Sequence, residues 1–161
     1  MSIKIIDDSN DPLLIQVKHL FQQMYDQLND QMPEKQLKIP LVDNGAELWL
    51  EGVKKMLGRL GRIVVAIKDD KVIAFANGVI YFTPDYLGDL KVGSIANVFV
   101  LPQARELGLG LRLVTELEQW FKSKNVHSVN LQVIFENNQA SDFWKHCKYL
   151  EEIIQFRKIF A

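Results

Sequence analysis

Between Val98 and Gly110 the chain reads V-F-V-L-P-Q-A-R-E-L-G-L-G, a strand-forming run closed by Pro102 and followed by Arg105-x-x-Gly108-x-Gly110. An amphipathic stretch opens at Gly108, so a strand passes into a helix through a turn holding two glycines. The first residues of a helix leave backbone N–H groups without intrahelical partners, and the helix dipole concentrates partial positive charge there. Glycines let a ligand approach those amides closely, which suits the turn to an anion, above all a phosphate. Arg105 is expected to add a full charge at its rim. The same spacing also serves an ordinary turn in which glycine permits tight packing. It is not the dinucleotide fingerprint, because G-x-G-x-x-G is absent.

Other chemistries are poorly represented. Cys147 stands alone among the cysteines, which excludes an intrachain disulfide and any multi-cysteine metal site. His19, His127 and His146 are far apart, with no H-E-x-x-H pair, no G-x-S-x-G elbow and no G-x-x-x-x-G-K loop. Nineteen basic against twenty acidic side chains give a net charge of -1, without the basic excess that nucleic-acid binding requires. Lys54, Lys55, Arg59 and Arg62 read as a solvated helix face. The longest apolar runs, Ile63 to Ile67 and Val72 to Ala76, fall far short of the ~18 residues of a membrane span. Met1 to Asp11 holds no apolar core of a secretory signal. At 161 residues, 48% hydrophobic and 24% charged, the expectation is one cytoplasmic domain over residues 1–161, without metal, nucleic acid or membrane.

The glycine turn has to be held by the elements around it. Ser2 to Asp7 suggests a short first strand. Leu13, Leu14, Val17, Leu20, Phe21, Met24 and Leu28 form one helical stripe, with Pro12 in its first turn. Met32 to Pro40 reads as loop. A second helix carries Leu48, Trp49, Val53, Met56, Leu57 and Leu60, with Asp43 or Asn44 as cap. Arg62 to Lys68 and Lys71 to Phe82 form a hairpin about Asp69-Asp70, with a bulge or bend at Gly78. Lys91 to Leu101 is the next strand, and Gly108 to Lys124 the next helix. Val126 to Phe135 is a strand, Asn138 to Cys147 a short helix burying Cys147, and Glu151 to Phe160 a final strand. The order predicts an α/β (α+β) fold: a mixed, mostly antiparallel central sheet with helices on both faces.

A strand, V-x-P, R-x-x-G-x-G, an amphipathic helix, a strand and then Asn137-x-x-Ala140-x-x-Phe143-Trp144 resemble the GNAT superfamily of acyl-CoA-dependent N-acetyltransferases. The likeness is sharpest over Ser94 to Tyr149, and Ile95 to Gly110 is most similar to the polyamine and diamine acetyltransferase type. It implies a sheet splayed at its core strand and acetyl-CoA as co-substrate. The diphosphate would sit on the amides of Glu106, Leu107, Gly108, Leu109, Gly110 and Leu111, behind Arg105. The pantetheine arm would pair with Val98, Phe99 and Val100, and Asn137 would bond the cofactor's amide arm while also serving as a helix cap.

The implied activity is acetyl transfer to the amine of a small molecule or amino-acid-like acceptor. The amide of Phe99 or Val100 would stabilise the oxyanion. At the position of the family's acidic tyrosine stands Trp144, whose indole N–H has no useful acidity. On the strand, the place often held by an acidic residue is Ala96. These two departures raise a second reading, a coenzyme A-binding module with weak or lost catalysis. Tyr149, Tyr81, Tyr86, Asp85, Asp89, Glu47 and Glu51 are candidates to replace the missing groups. Trp144 could instead cap the thioester end of the channel. Family habit adds a homodimer as an option that the residues themselves do not show.

Overall fold

A computed structural model describes residues 1–31 and 38–160; most of the expected loop from Met32 to Pro40 lies outside them. Five strands form a sheet in sequential order: β1 (Ser2–Ile6), β2 (Gly61–Lys68), β3 (Lys71–Phe82), β4 (Lys91–Val100) and β5 (Ser128–Asn130). The first four pair antiparallel, and β5 lies parallel to β4. Helices α1 (Leu14–Gln31) and α2 (Gly45–Met56) cover one face, and α3 (Leu109–Ser123) the other, with α4 (Asn138–His146) beside it.

Local chemistry accounts for the joints. Asp11 accepts a hydrogen bond from Leu13 N–H at 2.9 Å and meets Lys4 Nζ at 2.9 Å, which fixes the entry to α1. Asp69 and Asp70 both take positive φ, the geometry of a two-residue hairpin turn whose twist matches its strands. The register slips between Asn77 and Gly78, as the glycine suggested. Gly78 has a second role: a Cβ there would meet Leu117 and Phe121 at 3.0 Å, and one at Gly93 would meet Phe121 at 2.7 Å. With Ala66, Ala74 and Ala76 on the same face, they let α3 lie close to the sheet.

Strand alternation divides the sheet between two cores. Ile63, Val65, Phe75 and Phe99 meet Val17, Phe21 and Leu50, with Phe21 stacked on Trp49 at 4.1 Å. Val64, Ala76 and Ile95 meet Leu113, Leu117 and Trp120 on the α3 side.

Three expectations need correction. The second helix stops at Met56, where Leu57 leaves the helical conformation and bridges Gly61, so neither Leu57 nor Leu60 is on it, although Leu57 stays in the core; Asn44 is its cap residue but makes no side-chain cap bond. The strand foreseen over Val126 to Phe135 pairs only from Ser128 to Asn130. Glu151 to Phe160 forms no strand with the sheet. A strand exists only where a neighbour supplies hydrogen bonds, and this segment lies exposed along its length.

Candidate active site

The sheet opens between its fourth and fifth strands. β4 pairs with β5 at Val92, Gly93 and Ser94 only, whereas on its other edge it pairs with β3 as far as Val100. From Ile95 to Val100, then, one edge of β4 has no strand beside it among the described residues. Leu101 N–H donates to Ile73 O, which sets the phase of the backbone. Residues 73 and 101, 75 and 99 exchange bonds between strands, so the N–H and C=O of Val98 and Val100 turn toward the opening. Phe99 turns toward β3, with its ring buried against the α1–α2 core. Of the two amides foreseen for an oxyanion, Val100 faces the cleft and Phe99 does not.

The glycine turn lies just beyond this edge. Gly108 caps α3 in the left-handed conformation, with φ 71, and no side chain caps the helix. The first bond of α3 runs from Arg112 N–H to Gly108 O, so the amides of Leu109, Gly110 and Leu111 have no intrahelical partner. A Cβ on Gly108 would meet nothing within 4 Å beyond its chain neighbours, so the turn is open at this residue. Glu106 also has positive φ and, like Leu107, is exposed. The two glycines differ. A Cβ on Gly110 would stand 3.3 Å from the Phe143 ring, so this glycine admits α4, while Gly108 leaves the amides bare. Close packing, one of the two roles open to the glycine pair, is thus that of Gly110. Leu109 points into the core.

Arg105 does not stand at the rim as a spare charge. Its Nε donates to Val100 O at 3.0 Å, another nitrogen donates to Gln27 on α1 at 2.9 Å, and its guanidinium lies 5.9 Å from the Phe99 ring centre. A planar, multi-donor cation is suited to this clamp, which ties the turn to β4 and α1. Asn137 caps α4 by accepting from Ala140 N–H at 3.3 Å.

Trp144 packs edge-on between Phe143 and Tyr149, at 4.9 and 5.3 Å. Tyr149 donates its hydroxyl to Glu118 at 3.2 Å. Burial first, and Glu118 second, push the phenol pKa well above its usual range, so it is a poor proton donor at neutral pH. Cys147 is half-buried rather than buried, and burial with Glu118 nearby raises its thiol pKa, which disfavours the thiolate a nucleophile needs.

On the α1–α2 side of the cleft, the structure gathers residues that lie far apart in the sequence. Tyr81 accepts a hydrogen bond from Asn130 Nδ2, at the last paired residue of β5, so its hydroxyl stands at the root of the fork. Asn77 faces Asn97 across the β3–β4 ladder. Asn77 is 3% exposed, the one buried polar residue among those described, and lines a hollow of about 340 Å³ with Leu48, Trp49, Val53, Met56 and Val79. Asn77 and Asn130 were missed. An amide closing the apolar run V-I-A-F-A before Gly78 was the available signal for Asn77; for Asn130, alternation gave none.

The profile of the acetyltransferase (GNAT) family matches residues 21–149, which spans the glycine turn, both edges of the cleft and α4. The chain belongs to that family. Acetyl-CoA is its co-substrate. No curated protein sequence matches this chain. Among solved structures, the GNAT chain resembles an aminoglycoside acetyltransferase, meta-AAC0020, from an uncultured soil metagenomic sample in complex with trehalose. That likeness has 19% identity, a TM-score of 0.71, and covers 99% of this chain and 96% of that one. The BH1408 protein of Bacillus halodurans, as a tetramutant, has 16% identity and a TM-score of 0.77, covering 99% and 100%. Aminoglycoside N-acetyltransferase AAC(6')-Iy in complex with CoA has 19% identity and a TM-score of 0.73, covering 98% and 93%. At these identities the likeness is one of fold. No helix among the described residues is long and apolar enough to cross a membrane.

Proposed function

We propose that residues 1–161 act as one N-acetyltransferase domain that moves an acetyl group from acetyl-CoA to the amine of a small molecule. The reading rests above all on the bare α3 amides standing directly beyond the unpaired edge of β4. In this reading the amides from Glu106 to Leu111 hold the diphosphate, Gly108 being the point of closest approach. Val98 offers its N–H and C=O to the pantetheine arm, as an added strand would, while Val100 O is held by Arg105 and its N–H is left for the thioester oxygen. Asn137 stays a cap for α4 and presents its remaining polar atoms to the arm's amides.

The thioester supplies an activated acyl carbon, and the chain's part is to orient and stabilise. Val100 N–H is the donor for the oxyanion. Tyr81 takes the proton-carrying role that Trp144 cannot fill: its oxygen already accepts from Asn130, so its own hydrogen is left to donate toward the fork. Trp144 is a packing residue of the α3-side core, and Arg105 a positioning residue for the turn.

The acceptor's body occupies the hollow beneath α2, with its amine led past Asn77 and Asn97 to the fork. A mainly apolar lining with one amide suits an amine carried on an apolar or weakly polar body better than a polycation. Aminoglycosides and polyamines are therefore the contrasting arms of a substrate panel, beside alkyl and aryl amines and amino-acid amides. Transfer is followed by release of free thiol, with Tyr81→Phe as the companion variant. Turnover of an apolar amine, reduced about 10²-fold by Tyr81→Phe with KM for acetyl-CoA unchanged, supports the assignment. Binding of acetyl-CoA without turnover of any amine supports the second reading, a coenzyme A-binding module, which the tryptophan at position 144 and Ala96 on β4 favour.

A further inference from the structure

Asn77 is 97% enclosed by the fold, yet its carboxamide serves no other part of it. Strand alternation turns Phe75, Asn77 and Val79 of β3 to the α1–α2 face, where Asn77 lines the hollow beneath α2. Among the described residues no hydrogen bond holds its Oδ1 or Nδ2, and neither atom is sealed away, so both open onto the hollow. An enclosed amide without partners is costly, and such a group persists where a ligand supplies them.

The partner's chemistry follows from what Asn77 offers, an acceptor oxygen and a donor nitrogen side by side on one planar end. An ammonium brings donors only and leaves Nδ2 unpaired. A carboxylate brings acceptors only, leaves Oδ1 unpaired, and carries a charge into a hollow whose lining holds no opposite one among the described residues. A primary carboxamide presents acceptor and donor together, so it pairs with both atoms at once. The neighbouring positions agree. Asn97 stands opposite Asn77 and Ser94 opposite Val79, both uncharged, and neither side chain is committed to a hydrogen bond within the described residues.

We propose that Asn77 selects the acceptor, by pairing its carboxamide with a primary carboxamide at the end of the acceptor remote from the amine. This selection rests on the transfer reading, with the acceptor's body in the hollow beneath α2. Val100 lies three residues beyond Asn97 along β4, so its amide is roughly 10 Å from the level of Asn77. That gap sets the spacer between carboxamide and amine. Leu48, Trp49, Val53 and Met56 set its character, and a hollow of about 340 Å³ sets its bulk: a short alkyl chain or a single ring.

Four amines of matched length separate the end groups: ε-aminocaproamide, ε-aminocaproate, diaminoheptane and isooctylamine, whose branched end has the shape of the amide. Each is followed by calorimetric binding in the presence of coenzyme A and, separately, by transfer from acetyl-CoA. The parent should bind ε-aminocaproamide at least about tenfold more tightly than any of the other three. Asn77→Leu has the branched shape without the polar atoms and should reverse the order of the amide and isooctylamine. Asn77→Asp offers acceptors and a negative charge, and should move the preference from the amide to the diamine by about tenfold or more. Asn77→Ala, the smallest change to the packing, should abolish the preference for the amide. An amide that binds the parent no better than isooctylamine, or a preference that survives Asn77→Ala, overturns the selection. Preferred binding of the amide without transfer upholds the selection and refutes the transfer reading, whereas transfer without any preference for the amide does the reverse.

Discussion

Placing a carboxylate at Gly108 tests the anion cradle with a sign that can be worked out beforehand. Gly108 has φ 71, and a Cβ there meets nothing within 4 Å, so the cost to the fold is conformational and not a clash. A non-glycine residue in the left-handed region costs about 1–2 kcal/mol, least for Asn and Asp. Against that, a negative charge at a helix N-terminus gains about 0.3–1 kcal/mol. Gly108→Asp should therefore fold with nearly the parent stability. Gly108→Asn has the same shape without charge and isolates the electrostatic part. A carboxylate about 5 Å from one diphosphate charge, at an effective dielectric near 20, is opposed by about 3 kcal/mol. Salt screening at this exposed turn reduces the figure to about 2 kcal/mol, or about 30-fold in Kd. Calorimetric titration with coenzyme A should show this loss for Gly108→Asp relative to Gly108→Asn. In a melting experiment at ~100 times the parent Kd, the ligand's stabilisation should fall from about 2.7 to about 0.8 kcal/mol. Acetyl-pantetheine, which has no diphosphate, should bind both variants alike. Equal coenzyme A affinity for the Asp and Asn variants would refute the placement of the diphosphate on these amides.

Two other expectations concern packing and pH. Trp144→Tyr thins the aromatic stack with Phe143 and Tyr149; we expect a lower Tm and a transfer rate within about threefold of the parent. A tenfold gain in rate would return position 144 to the catalytic machinery. Burial acts to raise the Asp11 carboxyl pKa, but Lys4 and Leu13 N–H outweigh it and hold the group below its usual range. Because the folded pKa is the depressed one, the stabilisation is complete above the ordinary carboxylate range and disappears as pH falls through the folded value. Asp11→Asn should thus cost about 0.5 kcal/mol at pH 7, a figure discounted for the half-exposed Lys4. In urea titrations that difference should shrink toward zero near pH 2, and a difference unchanged across pH would contradict the ion-pair account.

Local pattern and local partners coincide over most of the chain, which is why so much of it is legible. The stripe from Leu13 to Leu28, the Asp69-Asp70 turn and the helix opening at Gly108 each depend on residues within a few positions of one another. The cleft belongs to this class only in part. Its glycine turn is written in R-x-x-G-x-G, because bare amides are a property of any helix start.

The division of labour between Gly108 and Gly110 is not written there. Nothing in the spacing tells a glycine that opens to solvent from one that admits Phe143 from a helix thirty residues away. Arg105 has the same history: a cation before a phosphate turn reads as a rim charge, and Gln27 on α1 converts it into a clamp.

Sequence alone determined the order of elements as far as α4, the two-sided core and the family, since apolar periodicity and a short motif are carried by the chain itself. Tertiary structure decided where β4 loses its neighbour, which amide faces the gap, how Tyr81 meets Asn130, and that Glu151–Phe160 finds no place on its own sheet. Those are pairings between distant segments. Strand propensity states that an edge wants a partner, and only the assembled backbone says which edge remains without one.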